Sequence, residues 1–237
     1  MKPIRLIITG SDYAGKRSVA VELSKWLIAN SHEREVRWHS HFVSARANTH
    51  LVVSVDDRGV FGAAEMMDGA EFDDGDVSQV KTMRPNVLEQ FRRHMIWRHF
   101  APDMYRDPHH LLIDWYYAEA VYAPLYYGYG EDGTFSDRRR RAREWDAEAL
   151  RLDRQTALLL VEASPEQIRA RMTRDPDPHC PLRQQDVELV LGRFAQEYEN
   201  SLIPNRLRLD TSHATPADTG RQLVEWLRQI PAPASEN

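Results

Sequence analysis

Gly10-Ser11-Asp12-Tyr13-Ala14-Gly15-Lys16-Arg17-Ser18 is the stretch of this 237-residue sequence that decides its fold. The spacing G-x-x-x-x-G-K is that of a phosphate-binding loop, in which backbone N–H groups and a lysine surround phosphate oxygens. Residues 4–9 before it form an apolar run of buried-strand type, and residues 19–27 after it carry apolar side chains at helical spacing. A strand, a glycine loop and a helix in this order predict a phosphate site at the N-terminus of the helix.

Arg17 departs from that loop pattern, because it occupies the place of the Ser or Thr that usually reaches Mg²⁺. Ser18 lies one residue later, and one step along a helix rotates a side chain by about 100°. Three alternatives stay open. In the first, a shift of the loop brings the Ser18 hydroxyl to Mg²⁺. In the second, Mg²⁺ is bound by water and by a carboxylate elsewhere in the chain. In the third, Arg17 itself neutralises phosphate charge.

Length and composition limit the classes of protein that the chain can form. A chain of 237 residues can bury a substantial core, and the sequence has no apolar run of about 18 residues that could span a membrane. The net charge of −5 argues against a general nucleic-acid binder. Cys180 is the single cysteine, which excludes an intramolecular disulfide and suits a reducing compartment. We therefore predict a cytoplasmic protein with a small-molecule partner, no nucleic acid and no membrane, and leave a homodimer open.

Strand and helix patterns alternate along the chain, which predicts an α/β fold with a parallel sheet. Strand patterns occupy residues 4–9, 36–43, 110–114, 156–161 and 206–209. Helical patterns occupy residues 85–99, 118–150 with a break, 165–172, 186–199 and 216–228. We predict a central sheet of about five strands with helices on both faces, as one domain over residues 1–230 with a disordered tail over 231–237. Ligands bind such sheets at the carboxyl ends of the strands.

Residues 44–84 interrupt this alternation and are predicted to form an insertion. Residues 51–55 and 60–61 flank the turn Asp56-Asp57-Arg58-Gly59 and predict a small hairpin. Acidic residues follow it without a basic one among them: Glu65, Asp68, Glu71, Asp73, Asp74 and Asp76. We interpret this stretch as a solvated insertion, with a lid on the substrate side or a surface that meets a basic partner as the alternatives.

Two charged side chains supply what phosphoryl transfer requires. Transfer needs positive charge around the moving group, a metal held by oxygen ligands and an oriented acceptor. Lys16 stands where such loops place a point charge that reaches the β- and γ-phosphates. Asp114 ends the apolar run of residues 110–114, where its carboxylate can hold Mg²⁺ directly, hold it through water, or orient the acceptor oxygen. We therefore predict catalytic roles for Lys16 and Asp114.

Several motifs together resemble the thymidylate kinases and their nucleoside-monophosphate kinase relatives. Residues 10–16 are similar to the family's G-x-D-x-x-G-K loop, and residues 114–117 stand where the family carries Asp-Arg-Tyr or Asp-Arg-His. Residues 126–130 resemble its tyrosine- and glycine-containing segment beside the nucleobase. Residues 160–166 are similar to its fourth strand and the following helix start, and residues 210–218 match its loop near the adenine of ATP.

The resemblance implies a P-loop kinase fold that uses ATP and Mg²⁺. Arginines fall where the family's lid lies, over residues 169–185: Arg169, Arg171, Arg174 and Arg183. Arg171, Arg174 or Arg183 would close over the transferring phosphoryl group, since a planar guanidinium grips phosphate in bidentate fashion. Asp12 would meet the sugar hydroxyl of an acceptor nucleotide. The residues implied to bind ATP are Gly10, Ser11, Asp12, Tyr13, Ala14, Gly15, Lys16, Arg17, Ser18 and Arg183.

Three departures from the family pattern stand beside that resemblance. Trp115 replaces the arginine that the family uses near the acceptor phosphate. The second strand lacks the family's Arg-Glu-Pro-Gly-Gly stretch, and residues 44–84 stand there instead. Both departures affect the acceptor site, and only the third, Arg17, affects the ATP site. The phosphate donor is therefore predicted more sharply than the acceptor.

Aromatic and basic clusters offer further candidate contacts. Six of the nine tyrosines lie within residues 116–129, and such rings stack on bases while their hydroxyls bind sugar or phosphate. We predict that Tyr116, Tyr117 and Tyr127 contact the substrate. Residues 138–143 hold five arginines, which we interpret as a solvated helix face or as an anchor for an anionic substrate or partner.

These observations support three functions. The first is an ATP-dependent phosphotransferase that moves the γ-phosphoryl group of Mg·ATP to a nucleoside monophosphate such as dTMP, or to a related small acceptor. The second is a catalytically impaired ATP-binding protein of the same fold that regulates a partner, which Arg17 and Trp115 favour. The third is a kinase that uses polyphosphate, and it would require a long cationic channel that a net charge of −5 does not encourage.

Overall fold

Strands and helices alternate through the chain, of which the structure, a computed structural model, describes residues 3–40, 49–67, 74–105, 109–178 and 180–230. The strands are β1 (Ile4–Thr9), β2 (Glu35–Ser40), β3 (Thr49–Val55), β4 (Phe61–Met67), β5 (His109–Ile113), β6 (Ala157–Glu162) and β7 (Asn205–Asp210). The helices are α1 (Lys16–Ala29), α2 (Asp74–Thr82), α3 (Pro85–Arg98), α4 (Trp115–Tyr122), α5 (Arg138–Leu152), α6 (Pro165–Arg174), α7 (Val187–Glu199) and α8 (Pro216–Gln229).

One sheet joins these strands in the order β4-β3-β2-β5-β1-β6-β7. The five strands from β2 to β7 in that order are parallel, and they are the five that the sequence predicts. β3 and β4 pair antiparallel with their neighbours and extend the sheet beyond β2. The sheet of the described residues therefore has seven strands rather than about five, because the hairpin of the predicted insertion pairs with the sheet edge.

The predicted hairpin turn is confirmed between β3 and β4. The Asp56 carboxylate accepts hydrogen bonds from the N–H groups of Arg58 and Val60, both at 2.9 Å, and Gly59 has a φ of 80°. An aspartate that bonds its own backbone two residues on is a typical turn former. Asp68, Glu71 and Asp73 of the acidic stretch lie outside the described residues, as does the tail over 231–237.

β1 and β6 are interior strands of the sheet, where their apolar runs can be buried on both faces. Leu6, Ile7 and Ile8 of β1 are buried, and so are the residues of β6 up to Val161. α1 packs with α8, while α4 packs with α5 and α7. Within the described residues, no helix combines the length and apolar character that crossing a membrane requires.

The predicted break in the long helical pattern over 118–150 separates α4 from α5. The chain passes from α4 into a π-helical turn, Ala123–Tyr127, which contains Pro124, and two left-handed glycines, Gly128 and Gly130, follow. Proline lacks the N–H that a continuing α-helix needs, and glycine tolerates positive φ. The break therefore has a local cause that the sequence contains.

The arginine cluster over 138–143 is not a solvated face throughout, in contrast to that interpretation, because Arg138 points into the protein. Its side chain is fully buried, and its guanidinium contacts Glu89 at 2.9 Å and Glu119 at 3.3 Å. Arg140 and Arg141, by contrast, both pair with Glu144 on the helix surface. A buried arginine is stable only with such paired carboxylates, so Arg138 ties α5 to α3 and α4.

Candidate active site

The loop between β1 and α1 depends on residues with positive φ. Gly10 has a φ of 145°, Tyr13 of 63° and Gly15 of 99°. A Cβ at Gly10 would lie 2.1 Å from the Val161 carbonyl oxygen, so the loop passes too close to β6 for a side chain there. Gly15 is the N-cap of α1, whose first N–H groups have no partner within the helix. The strand, loop and helix predicted from the sequence are therefore confirmed.

A cavity of about 530 Å³ opens at this loop. Its walls are Ser11, Asp12, Tyr13, Gly15, Lys16, Arg17, Ser18, Val19, Arg171, Arg174, Asp175, Thr211, Ala214, Pro216 and Thr219. Of the residues predicted to bind ATP, Gly10, Ala14 and Arg183 are not on the wall. Gly10 and Ala14 hold the loop through their backbone. The Gly10 carbonyl oxygen accepts from Lys16 Nζ at 2.6 Å, and the Ala14 carbonyl oxygen accepts from Thr211 Oγ1 at 2.7 Å.

Lys16 is held by oxygen atoms on several sides. Its Nζ donates to the carbonyl oxygens of Gly10 and Ser11, at 2.6 and 3.1 Å, and lies 3.0 Å from Asp114 Oδ1. Asp12 Oδ1 is 3.9 Å away. The ammonium group therefore lies where loop carbonyls, two carboxylates and an entering anion would compete for its donors.

Asp114 follows β5 directly, as predicted, and its backbone has a φ of 68°. Its N–H donates to the Ile8 carbonyl oxygen at 2.7 Å, which fixes the residue beside β1. Burial raises the pKa of Asp114 to about 7, with a smaller rise from Asp12, and Lys16 opposes the shift. A left-handed, buried aspartate next to a lysine is the kind of strained group that functional sites retain.

Asp12 is positioned by Tyr122, a contact that the sequence analysis missed. The Tyr122 hydroxyl donates to Asp12 Oδ2 at 2.9 Å, and the Asp12 N–H donates to the same hydroxyl at 3.2 Å. Six tyrosines share this part of the chain, and no sequence signal distinguishes the one whose ring reaches the loop. Only the packing of α4 beside β1 selects Tyr122.

The arginines predicted to form the lid take different places. Arg171 donates to the carbonyl oxygens of Tyr13 (2.8 Å) and Thr211 (2.7 Å). Arg174 lines the cavity, and its Nε lies 2.7 Å from Asp175 Oδ2. Arg183 lies over the ring of Tyr126 at 5.0 Å, and Arg169 pairs with Glu188. The structure therefore brings Arg171 and Arg174 to the cavity, whereas Arg169 and Arg183 are not on its wall.

Tyr116 and Tyr117 are not brought to the cavity, in contrast to their predicted contact with substrate. Both side chains are fully buried, and both hydroxyls donate to Asp146 Oδ1 at 2.7 Å. Burial raises the pKa of both tyrosines, so they remain neutral donors. Trp115 is buried as well, and its Nε1 donates to the Ile96 carbonyl oxygen at 3.2 Å. These side chains hold α4 to its neighbours.

Replacing Tyr116 with phenylalanine tests this structural role. We expect the free energy of unfolding to fall by about 1.5–3 kcal/mol, because the hydroxyl is bonded to a buried carboxylate. Urea denaturation measures the change, with Tyr198→Phe as the control, since that ring packs with Arg206 and Arg208 outside the cavity. Unchanged stability together with a raised KM for an acceptor would restore the predicted substrate contact.

Tyr127 is not among the residues of the cavity wall. Burial raises its pKa, and Arg92 opposes the shift while Glu119 and Asp12 add to it. The Arg92 guanidinium is 5.6 Å from the centre of the Tyr127 ring and 3.5 Å from Glu119 Oε1. Arg92 and Glu119 were not singled out from the sequence, because they stand in separate helices among many charged residues.

Oxygen ligands of the type that Mg²⁺ prefers are present around the cavity. Asp12 and Ser18 line it, and the Asp114 carboxylate lies behind Lys16. Arg17 also lines the cavity, from the first turn of α1. The described residues contain no group of three or more His, Cys, Asp or Glu side chains that could hold a metal. The set therefore fits an ion that arrives with a nucleotide and takes its other ligands from phosphate and water.

Comparisons with known proteins show which known fold this chain shares. No protein-family model matches the sequence, and no curated protein does. The chain is similar to deoxyadenosine kinase from M. mycoides with bound dATP, at a TM-score of 0.53 and 9% identity over 95% of this chain and 100% of that one. The structure of that enzyme with bound dCTP gives 0.52 and 11%, over 96% and 100%. The chain therefore has the P-loop kinase fold predicted from its sequence, in the form found in a deoxynucleoside kinase.

Proposed function

We propose that this protein is an ATP-dependent phosphotransferase that moves the γ-phosphoryl group of Mg·ATP to a small acceptor of the nucleoside or nucleotide class. The observation that carries the proposal is the position of Lys16, whose Nζ lies 3.0 Å from Asp114 Oδ1 beside the N-terminus of α1. Arg171 and Arg174 line the same cavity. Positive charge and a carboxylate arranged in this way are what phosphoryl transfer requires.

The cavity suits ATP in size and in chemistry. Its volume of about 530 Å³ falls within the roughly 300–1,000 Å³ that small-molecule sites occupy. The Ser11 hydroxyl is buried on its wall without a hydrogen-bond partner in the described residues, and a phosphate oxygen would satisfy it. Ala214, in the loop after β7, and Pro216, the first residue of α8, offer apolar surface for a base.

Mg²⁺ would neutralise charge on the phosphates when bound, and the Ser18 hydroxyl on the cavity wall would hold it together with phosphate and water, which leaves Asp114 and Asp12 for the acceptor. Lys16 would then exchange the carbonyl oxygens of Gly10 and Ser11 for phosphate oxygens. Its partner Asp114 would keep the ammonium group charged during that exchange, because an opposite charge within a few ångströms favours ionisation.

The carboxylates beside the loop favour a hydroxyl acceptor over a phosphate acceptor. A hydroxyl loses a proton when it attacks phosphorus, whereas a phosphate monoester is already anionic. With its pKa raised to about 7, Asp114 is a stronger base than an ordinary carboxylate, and Asp12 is held by Tyr122 to accept a sugar hydroxyl. Similarity to the fold of a deoxyadenosine kinase supports the same acceptor. A monophosphate such as dTMP, which the sequence resemblance implies, is the other acceptor to test.

Tyr127, Arg92 and Glu119 are the side chains that we assign to the base of the acceptor. Tyr127 provides a ring for stacking. The Arg92 guanidinium, 5.6 Å from the centre of that ring, provides hydrogen-bond donors, and Glu119, which pairs with Arg92 and Arg138, orients it. Tyr116 and Tyr117 are no longer part of this assignment, because both are bonded to Asp146.

The pH dependence of kcat/KM for phosphoryl transfer should follow the titration of the Asp114 carboxylate. The raised pKa means that the carboxylate is protonated below about 7, so kcat/KM should fall by about tenfold per pH unit on the acid side and level off on the alkaline side. Asp114→Asn should lower the rate and remove this slope. An unchanged slope in Asp114→Asn, measured in the same buffers, would assign the titration to another group.

A panel of acceptors tests the proposed function. The protein is incubated with Mg·ATP and either deoxynucleosides or nucleoside monophosphates including dTMP, and both ADP and the phosphorylated product are measured. Product from deoxynucleosides supports the hydroxyl acceptor, and product from dTMP alone supports the monophosphate. ATP binding without product from any acceptor contradicts the proposed transfer.

Regulation of a partner by bound ATP is a second candidate function. It is favoured by the two loop carbonyls that hold Lys16 and by Arg17 at the place of the usual metal-binding hydroxyl. This function predicts tight ATP binding and no transfer in the acceptor panel. Arg17→Ser distinguishes a site that has lost its Mg²⁺-binding hydroxyl from one in which Arg17 has its own role. The substitution should raise the affinity for Mg²⁺ only if the hydroxyl ligand was lost.

A further inference from the structure

Tyr13 combines an unfavourable backbone conformation with a hydroxyl that both donates and accepts a hydrogen bond. Its φ of 63° lies in the left-handed region, which costs a non-glycine residue about 1–2 kcal/mol and persists where surrounding contacts hold it. Its hydroxyl donates to the Asp175 carbonyl oxygen at 3.2 Å and accepts from the Asp177 N–H at 2.9 Å. One side chain of the loop is thus bonded twice to the short segment 175–177.

That segment directly follows α6, the helix that carries Arg171 and Arg174. Arg171, within α6, is also bonded to the loop, because its guanidinium donates to the Tyr13 carbonyl oxygen at 2.8 Å. Both the main chain and the side chain of Tyr13 are therefore bonded to the end of α6 or to the residues after it. The loop and the end of α6 cannot separate without the loss of these bonds.

We propose that Tyr13 is a latch that holds residues 175–177 and the end of α6 beside the phosphate cavity. This inference rests on the proposed phosphotransferase function, and Tyr13 is a positioning residue in it. The latch keeps Arg174 at the cavity wall and excludes water from the phosphates. Loss of the latch therefore raises the rate of ATP hydrolysis relative to transfer.

The chemistry of the bonds suits a latch that persists while nucleotide enters. Arg174 Nε pairs with the Asp175 carboxylate at 2.7 Å and would leave it for a phosphate oxygen. The Tyr13 hydroxyl bonds backbone groups of Asp175 and Asp177 rather than their carboxylates. The exchange of ion partners at Arg174 therefore does not release the segment.

Tyr13→Phe tests the latch, because it removes the hydroxyl and keeps the ring. We expect hydrogen exchange at the Asp177 N–H to become about 2- to 12-fold faster, the factor that corresponds to one net hydrogen bond. The Kd for ATP and the share of ADP formed without phosphorylated acceptor should rise as well. Tyr198→Phe is the matched control, and it should change none of these quantities.

Tyr13→Gly provides a second variant in which the backbone strain is absent. It should show the same faster exchange at Asp177, so a folding defect of one variant leaves the test intact. Exchange at Asp177 that is unchanged in both variants would overturn the latch. If exchange responds as expected but the wild type transfers phosphate to no acceptor, the latch stands and the proposed phosphotransferase function fails.

Discussion

Lys16→Ala should lower kcat/KM for phosphoryl transfer by about 10³-fold, the scale on which loss of one group that stabilises transition-state charge acts. The Lys16 Nζ lies within 3.1 Å of two loop carbonyls and Asp114 Oδ1, beside the N-terminus of α1. Arg17, Arg171 and Arg174 also line the cavity, but the ion pair with Asp114 is made by Lys16. Steady-state kinetics with saturating acceptor, together with ATP binding by calorimetry, measure the effect.

Lys25→Ala is the matched control for this experiment. Lys25 is on the same helix, and its ammonium pairs with Glu22 at the surface. The control should retain the wild-type rate, since it removes an equal charge away from the cavity. If both variants lose activity equally, the cause is net charge or stability of α1 and not contact with phosphate. Circular dichroism on both variants separates these causes.

Gly10→Ala should lower the stability of the whole sheet and abolish ATP binding. The added Cβ would lie 2.1 Å from the Val161 carbonyl oxygen, and the φ of 145° is unfavourable for alanine. β6 cannot retreat, because it is paired with β1 through Thr9 and Leu160. A strained backbone and a steric overlap of this kind together cost about 2–5 kcal/mol, and the melting temperature should fall on the order of 10 °C.

Gly192→Ala is the control, because a Cβ there meets no atom within 4 Å. Gly192 is inside α7, so alanine should raise the free energy of unfolding by about 0.5–1 kcal/mol through helix propensity. The two substitutions add the same methyl group and are expected to change stability in opposite directions. Equal effects of both on the melting temperature would contradict the close approach of the loop to β6.

Local chemistry explains why much of the fold could be predicted. Of the five parallel strands, β1, β5 and β6 appear as apolar runs, and β2 and β7 alternate polar with apolar residues. The helix starting at Pro165 carries its own signal in Ser164, whose hydroxyl accepts from the Gln167 N–H at 3.3 Å. The glycines of the loop stand where positive φ and close approach demand them. Each of these features depends on residues a few positions apart, so a sequence pattern contains it.

The roles of the tyrosines and arginines depend on residues far apart in the chain. Tyr122 bonds Asp12 across 110 positions, and Arg138 bonds Glu89 across 49. Tyr116 and Tyr122 belong to one buried helix, so composition and spacing cannot tell which of them faces the loop and which faces Asp146. The predicted contact of Tyr116 and Tyr117 with substrate was therefore drawn from residue type alone.

The sequence by itself determined the glycine loop between a strand and a helix, the succession of the parallel strands along the chain, and the presence of Lys16 and Asp114 after strands. Backbone geometry and hydrophobic periodicity act locally, and they leave a readable pattern. Only the tertiary structure decided that Asp114 is buried against Lys16, that Tyr122 holds Asp12, and that Tyr13 is bonded to the segment after α6. Burial and hydrogen bonding between distant segments follow from how helices pack on the sheet, which no single stretch of sequence specifies.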